Sequence, residues 1–128
     1  MKNEKKKVLV IEGSRSVRKV VCMALEFNGY QVITAQDGEE GLAIAAKEQP
    51  DEIVMDWALP SLHGKALMQK LYAALQTRNI PIIVVSARSK AELGGYHEST
   101  STHEQFLKVS IVLERMVHAL QNRVPALV

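Results

Sequence analysis

Four short apolar runs in this sequence each end on a side chain that can bind a metal ion or an anion. The residues at these ends are Glu12, Asp56, Ser86 and Lys108. Uninterrupted apolar runs are typical of strands in a parallel sheet buried on both faces, and ligands bind beyond the carboxyl ends of such strands. We therefore expect two carboxylates, a hydroxyl and an ammonium to converge on one site. The carboxylates suit a divalent cation, and the ammonium suits an anion.

The chain that must position these residues alternates strand and helix patterns. Apolar runs predict strands at residues 8–11, 31–35, 52–56, from 81, and near 105. Capping residues and helical spacing predict helices at residues 14–28, 37–47, 65–76, from 90, and 111–123. This alternation predicts an α/β fold, in which one doubly wound, five-stranded parallel sheet has helices on both faces in a three-layer sandwich.

The predicted helices each present an apolar stripe to the sheet. Ser14 is the expected N-cap of the first helix, Gly29 its stop, and Asp37 with Glu40 an N-terminal capping arrangement for the second. The residues expected to face inward are Val17, Val20, Val21, Ala24 and Leu25 in the first helix, Leu42, Ala45 and Ala46 in the second, and Leu67, Leu71 and Leu75 in the third.

Composition excludes several classes of protein. The length of 128 residues predicts one domain over 1–128, with a basic leader at 1–7 and a short tail at 124–128. The net charge of +2 comes mostly from the leader, so we expect no nucleic-acid surface. No apolar run is long enough for a signal peptide or a membrane span, which predicts a cytoplasmic protein that does not bind membranes. The single cysteine, Cys22, is expected to be a buried thiol.

Short motifs at the strand ends carry a resemblance to a known family. They are Glu12 after the first strand, Val54-Met55-Asp56, Leu59-Pro60 and Gly64 in the following loop, Ser86-Ala87, and Phe106-Leu107-Lys108. With their spacing, these motifs resemble the receiver domain of bacterial two-component response regulators, which has a flavodoxin-like fold. The resemblance implies the strand order 2-1-3-4-5.

The resemblance also implies a role for each residue of the site. Asp56 would accept a phosphoryl group from a histidine kinase or phosphotransfer protein. Ser86 and Lys108 would each contact a phosphoryl oxygen, and Phe106 would follow the change as a switch residue. Magnesium would be held by Glu12, Asp56 and the backbone carbonyl of Ala58. The output would be a changed protein-binding face, formed by the fourth helix, fifth strand and fifth helix, and not an enzymatic product.

Two positions depart from the family pattern in ways that affect this chemistry. Receivers usually carry two adjacent acids after the first strand, whereas here Gly13 follows Glu12. Because the second acid is by resemblance the direct metal ligand, we expect weak magnesium binding. The lysine is usually followed by a proline with a cis peptide bond, whereas Val109 would need on the order of 3 kcal/mol to adopt that geometry.

Two classes of function therefore remain open. The first is a phosphoacceptor receiver, favoured by Asp56, Ser86 and Lys108. The second is a phosphorylation-independent pseudo-receiver that acts as a protein-binding module, favoured by Gly13 and Val109. In the second case Glu12 and Lys108 would form a static ion pair. A flavin-binding protein is disfavoured, because Glu12 would repel a phosphate at the loop after the first strand.

Overall fold

The computed structural model describes residues 5–85 together with Glu114. The elements are β1 (Lys7–Ile11), α1 (Arg15–Phe27), β2 (Gln31–Ala35), α2 (Gly38–Glu48), β3 (Glu52–Asp56), α3 (Gly64–Ala73) and β4 (Ile82–Val85). The alternation of strands and helices confirms the predicted α/β fold class. The predicted bounds of β2 and β3 match those in the structure.

The four strands form one parallel sheet in the order β2-β1-β3-β4. β1 lies between β2 and β3, with Val10 beside Thr34 on one side and beside Val54 on the other. This order agrees with the first four positions of the predicted sheet. The fifth predicted strand, near Gln105, lies outside the described residues.

The sheet is covered on both faces, and each face has its own apolar core. On one face, Val17, Val21 and Leu25 of α1 pack against alternate residues of the strands, including Val10 and Val54. On the other face, residues of α2 and α3 pack against the intervening strand residues: Ala45, Leu67 and Leu71 against Leu9, Ile11, Ile53, Met55, Ile82 and Val84. Burial on both faces explains why the strands are continuous apolar runs.

The caps predicted for the first two helices are present. The Ser14 hydroxyl accepts a hydrogen bond from the Val17 amide at 3.4 Å, and the Asp37 carboxylate accepts one from the Glu40 amide at 2.8 Å. Gly29 follows α1 with φ of +91°, a left-handed conformation that favours glycine.

Three residues predicted to face inward are exposed. Leu75 is 73% exposed because α3 ends at Ala73, and Ala74 is extended. The Thr77 hydroxyl donates to the Leu71 carbonyl oxygen at 2.7 Å, which holds the chain in a turn after the helix. Val20 is 43% exposed and directly precedes the buried Val21. Ala46 is exposed and directly follows the buried Ala45. One step along a helix turns a side chain by about 100°, so neither residue faces the sheet.

Several predictions concern residues outside the described part of the chain. They are Ser86, Phe106, Lys108, Val109, the helix from Lys90 and the helix over 111–123. Of this last helix, the structure describes Glu114 alone, and Glu114 is helical. Within the described ranges, the helices are too short and too polar for any of them to cross a membrane.

Candidate functional site

Glu12 lies directly after β1, at the carboxyl edge of the sheet. The residue is buried, with only 6% of its surface exposed. One carboxylate oxygen, Oε2, accepts a hydrogen bond from the Ser14 amide at 2.9 Å. The Glu12 carbonyl oxygen accepts a second bond from Nη1 of Arg18 at 2.7 Å. The first turn of α1 therefore fixes both the side chain and the backbone of Glu12.

Asp56 is the last residue of β3 and is half-buried. Its Oδ1 accepts a hydrogen bond from the Ala58 amide at 3.3 Å, so the side chain bends over the start of the β3–α3 loop. The next residue, Trp57, donates its amide to the Val85 carbonyl oxygen at 3.2 Å. That bond extends the pairing of β3 with β4 by one residue and holds the strand end in place.

The structure brings Glu12 and Asp56 together. Ile11 pairs with Met55 in the parallel ladder, so the two carboxylate residues follow neighbouring positions on adjacent strands. Adjacent strands lie about 4.8 Å apart. Both residues line one small cleft between the sheet and α1, with Val17 and Val85 among the other lining residues. Ser86, Phe106 and Lys108 lie outside the described residues.

Gly13 lies beside the β3–α3 loop. A Cβ atom added at this glycine would lie 3.1 Å from Cδ of Pro60, so the proline ring occupies the space next to the missing side chain. Ser61, which follows the proline, has φ of +62°, a conformation that is unfavourable for a residue with a side chain. The turn at Pro60 and Ser61 thus keeps the proline ring against Gly13.

Two further glycines fit against the same loop, and sequence reasoning missed this role for both. A Cβ at Gly38, the first residue of α2, would lie 2.6 Å from Cβ of Leu62. A Cβ at Gly64, the first residue of α3, would lie 2.7 Å from the Trp57 carbonyl oxygen, which also accepts the Gly64 amide at 3.1 Å. The helix starts pack so closely on the loop that only glycine fits. In the sequence, the signal for this close packing was the glycine at the first position of each helix.

Arg18 was also missed as a site residue. Its contact with the Glu12 carbonyl depends on the first turn of α1 folding back over the end of β1. The sequence offers no pattern that distinguishes Arg18 from its basic neighbours, Arg15 and Lys19.

The residues present fit a magnesium site of the simplest kind. Magnesium usually keeps several waters and is bound through one or two carboxylates together with phosphate oxygens. Glu12 and Asp56 supply two carboxylates at one sheet edge. Over residues 5–85 and at Glu114, no three side chains of His, Cys, Asp or Glu form a group that could hold a metal ion. The site therefore has the minimum of protein ligands.

Comparison with known proteins identifies the family. Residues 8–120 match the family described as the response regulator receiver domain. The chain belongs to the response regulator receiver family. Receiver domains are signalling modules of two-component systems. This receiver is 39% identical over 87 residues to the probable transcriptional regulator ycf27 of Porphyra purpurea. That match covers 68% of this chain and 35% of the relative, so the chain spans about a third of the relative's length.

Solved receiver structures share the fold of this receiver. The chemotaxis response regulator CheY4 of Vibrio cholerae is 26% identical, with a TM-score of 0.64 that covers 85% of this chain and 99% of the other. The receiver domain of a sensor histidine kinase from Pseudomonas aeruginosa PAO1 is 21% identical, with a TM-score of 0.66 over 84% of this chain and 99% of the other. A magnesium ion is coordinated in the active-site cleft of that second protein. At this identity, the likeness shows the fold alone.

Proposed function

We propose that this receiver accepts a phosphoryl group on Asp56 from a histidine kinase or phosphotransfer protein in the cytoplasm. The observation that supports the proposal is the pairing of Asp56 with Glu12 at the carboxyl ends of adjacent strands, where both line one cleft. Asp56 is half-buried, so an incoming donor can reach it, whereas Glu12 is almost fully enclosed. A carboxylate open to the donor and a second one held beside it suit metal-assisted phosphoryl transfer.

The transfer makes one bond and breaks one bond. A carboxylate oxygen of Asp56 attacks the phosphorus of a phosphohistidine, so a P–O bond forms as the P–N bond breaks. The imidazole nitrogen keeps the bonding electron pair, and the ring leaves as neutral imidazole with the proton on its other nitrogen. The Ala58 amide, which donates to Oδ1 of Asp56 at 3.3 Å, holds the carboxylate at the start of the β3–α3 loop. The Ser14 amide and Arg18 keep Glu12 beside it.

Several groups would together neutralise the negative charge of the phosphoryl group. Glu12, Asp56 and the Ala58 carbonyl would hold magnesium, which when bound neutralises charge on the transferring phosphoryl oxygens. The metal affinity is weak because Gly13 supplies no carboxylate. We assign contacts with two phosphoryl oxygens to Ser86 and Lys108, and the switch role to Phe106. The face of the fourth helix, fifth strand and fifth helix would then bind a downstream protein.

Intact-mass measurement tests the proposal directly. The chain is incubated with acetyl phosphate and magnesium, and the Asp56→Asn variant is treated in parallel. We expect the wild type to gain the mass of one phosphoryl group and the variant to gain none. Asp51→Asn is the matched control, because Asp51 is an exposed carboxylate at the other end of β3 and should leave the mass gain intact. An equal gain in the wild type and in Asp56→Asn would contradict the assignment of Asp56.

A second candidate function is a phosphorylation-independent protein-binding module. The observation that favours it is the Pro60 ring beside Gly13, because the ring lies next to the position where receivers usually carry the second acid. In this case the wild type gains no phosphoryl mass, magnesium does not change Trp57 fluorescence, and Asp56→Asn leaves partner binding unchanged. Each of these three results is opposite to that expected of a working phosphoacceptor.

A further inference from the structure

Glu52 is a buried carboxyl at the opposite end of the sheet from Asp56. It is the first residue of β3 and only 5% exposed. Its neighbour in the parallel ladder is Val8, which belongs to the apolar core under α1. Because side chains alternate along a strand, Glu52 shares this face with Val54 of the same core. An acidic side chain therefore takes a position where the surrounding sheet is apolar.

The surroundings of Glu52 do little to stabilise a negative charge. Its Oε2 is buried and has no hydrogen-bond partner among the described residues. Lys6, before β1, favours ionisation, whereas Asp51, the residue before Glu52, opposes it. Tyr30 joins α1 to β2 and packs on the same core, where burial first and the nearby Glu52 second raise the pKa of its hydroxyl. Burial, the largest cause, raises the pKa of Glu52 from 4.5 to about 7.

We propose that Glu52 is a proton-sensitive contact at the amino edge of the sheet, closed when its carboxyl is neutral and loosened when it ionises. In the closed state the neutral carboxyl is buried beside Tyr30 and Val8. Ionisation near neutral pH draws water to Oε2, because a charged oxygen that is buried without a hydrogen-bond partner is strongly unfavourable. The proposal does not depend on phosphorylation of Asp56.

The pH dependence follows from proton binding in the folded and unfolded states. Below pH 4.5 both states hold the Glu52 proton. Between pH 4.5 and about 7 the folded state keeps the proton and the unfolded state loses it, so stability falls as the pH rises. Above pH 7 both states are ionised and this contribution is constant. The largest loss of stability from Glu52 is therefore reached by about pH 8.

Three backbone hydrogen bonds around Glu52 should report the local loosening. The Tyr30 amide donates to the Leu25 carbonyl at 3.1 Å, the Gln31 amide to the Lys6 carbonyl at 2.9 Å, and the Asp51 amide to the Lys7 carbonyl at 2.8 Å. They join the turn after α1, the segment before β1 and the segment before β3. Water that enters at Glu52 should open these bonds before the rest of the sheet.

The first experiment compares the wild type with Glu52→Gln, a neutral side chain of nearly the same shape. Urea unfolding is measured from pH 5 to pH 8, with Glu48→Gln as the control because Glu48 is an exposed glutamate four residues away. The ratio of the variant's folding equilibrium constant to that of the wild type should rise by up to about 70-fold between pH 5 and pH 8. Glu48→Gln should follow the wild type. Parallel profiles for the wild type and Glu52→Gln would overturn the proposal.

Two further measurements need only a folded wild type. The ¹³C shift of the Glu52 side-chain carboxyl should titrate with a midpoint near 7, and a midpoint near 4.5 would overturn the proposal even if Glu52→Gln fails to fold. Amide hydrogen exchange at Gln31 should accelerate between pH 6 and pH 8 by more than the intrinsic tenfold change per pH unit. The Glu12 amide, which donates to the Ala35 carbonyl at the other end of the sheet, provides the internal reference.

Discussion

At the scale of single residues, the decisive position is Gly13. Its backbone is not in the left-handed region, since Gly29 is the one glycine with positive φ in the described ranges. An amino acid with a side chain is therefore allowed at position 13 by the backbone. The obstacle is the Pro60 ring, which lies 3.1 Å from the place of a Cβ atom. A contact of this length can relax if the ring moves by a few tenths of an ångström.

Gly13→Asp should tighten magnesium binding. The new carboxylate adds a third oxygen ligand beside Glu12 and Asp56, and we expect the dissociation constant for magnesium to fall roughly tenfold, or about 1.4 kcal/mol. Titration of Trp57 fluorescence with magnesium measures the change. Gly13→Ala is the matched control, because it adds the same Cβ atom against Pro60 without a ligand. If both variants bind magnesium no better than the wild type, the pocket geometry and not the missing acid limits the affinity.

At the scale of elements, the end of α3 separates two leucines that look equivalent in sequence. Leu71 is fully buried between α3 and the sheet, whereas Leu75 is 73% exposed. Leu71→Ala should lower the free energy of unfolding by about 2–5 kcal/mol, because it leaves a cavity in the core. Leu75→Ala should change it by about 0.5 kcal/mol or less. Urea denaturation of both variants measures the difference, and equal losses would mean that α3 continues past Ala73.

The same elements show what the sequence could predict and what it could not. The strand bounds of β2 and β3 were predictable because Gly29 and Pro50 interrupt the chain just before them. The capping roles of Ser14 and Asp37 were predictable because both depend on local spacing. The end of α3 was not, because the Thr77 hydroxyl competes for a carbonyl six residues earlier, and helical periodicity does not register such a contact.

The candidate site was predictable to a similar extent. Strand-end position alone brought Glu12 and Asp56 together, because the carboxyl ends of parallel strands share one edge. The packing of Pro60 on Gly13 was not predictable, since it depends on the path of the β3–α3 loop. Glu52 was read only as the start of a strand, because a charged residue at a strand end is usually exposed. The roles of Ser86, Lys108 and Phe106 stay predictions.

At the scale of the whole molecule, β3 carries an ionisable residue at each end. Glu52 begins the strand and Asp56 ends it, on the same face. Four residues of strand span about 13 Å at about 3.3 Å per residue. The residue between them on that face, Val54, is buried in the core under α1. The strand thus places a proton-sensitive contact and a candidate phosphoacceptor at opposite edges of one sheet, with packed apolar side chains between them.

This separation predicts that the two ends act independently. The changes in free energy of unfolding for Glu52→Gln and Gly13→Asp should add within about 0.5 kcal/mol in the double variant, because the two ends of β3 are about 13 Å apart. Urea denaturation of the two single variants and the double variant at pH 8 forms the cycle. Glu52→Gln should also leave phosphoryl uptake from acetyl phosphate unchanged in amount. A coupling above about 1 kcal/mol would show that β3 transmits strain between its ends. In that case, loss of the Glu52 proton would also change the site at Asp56.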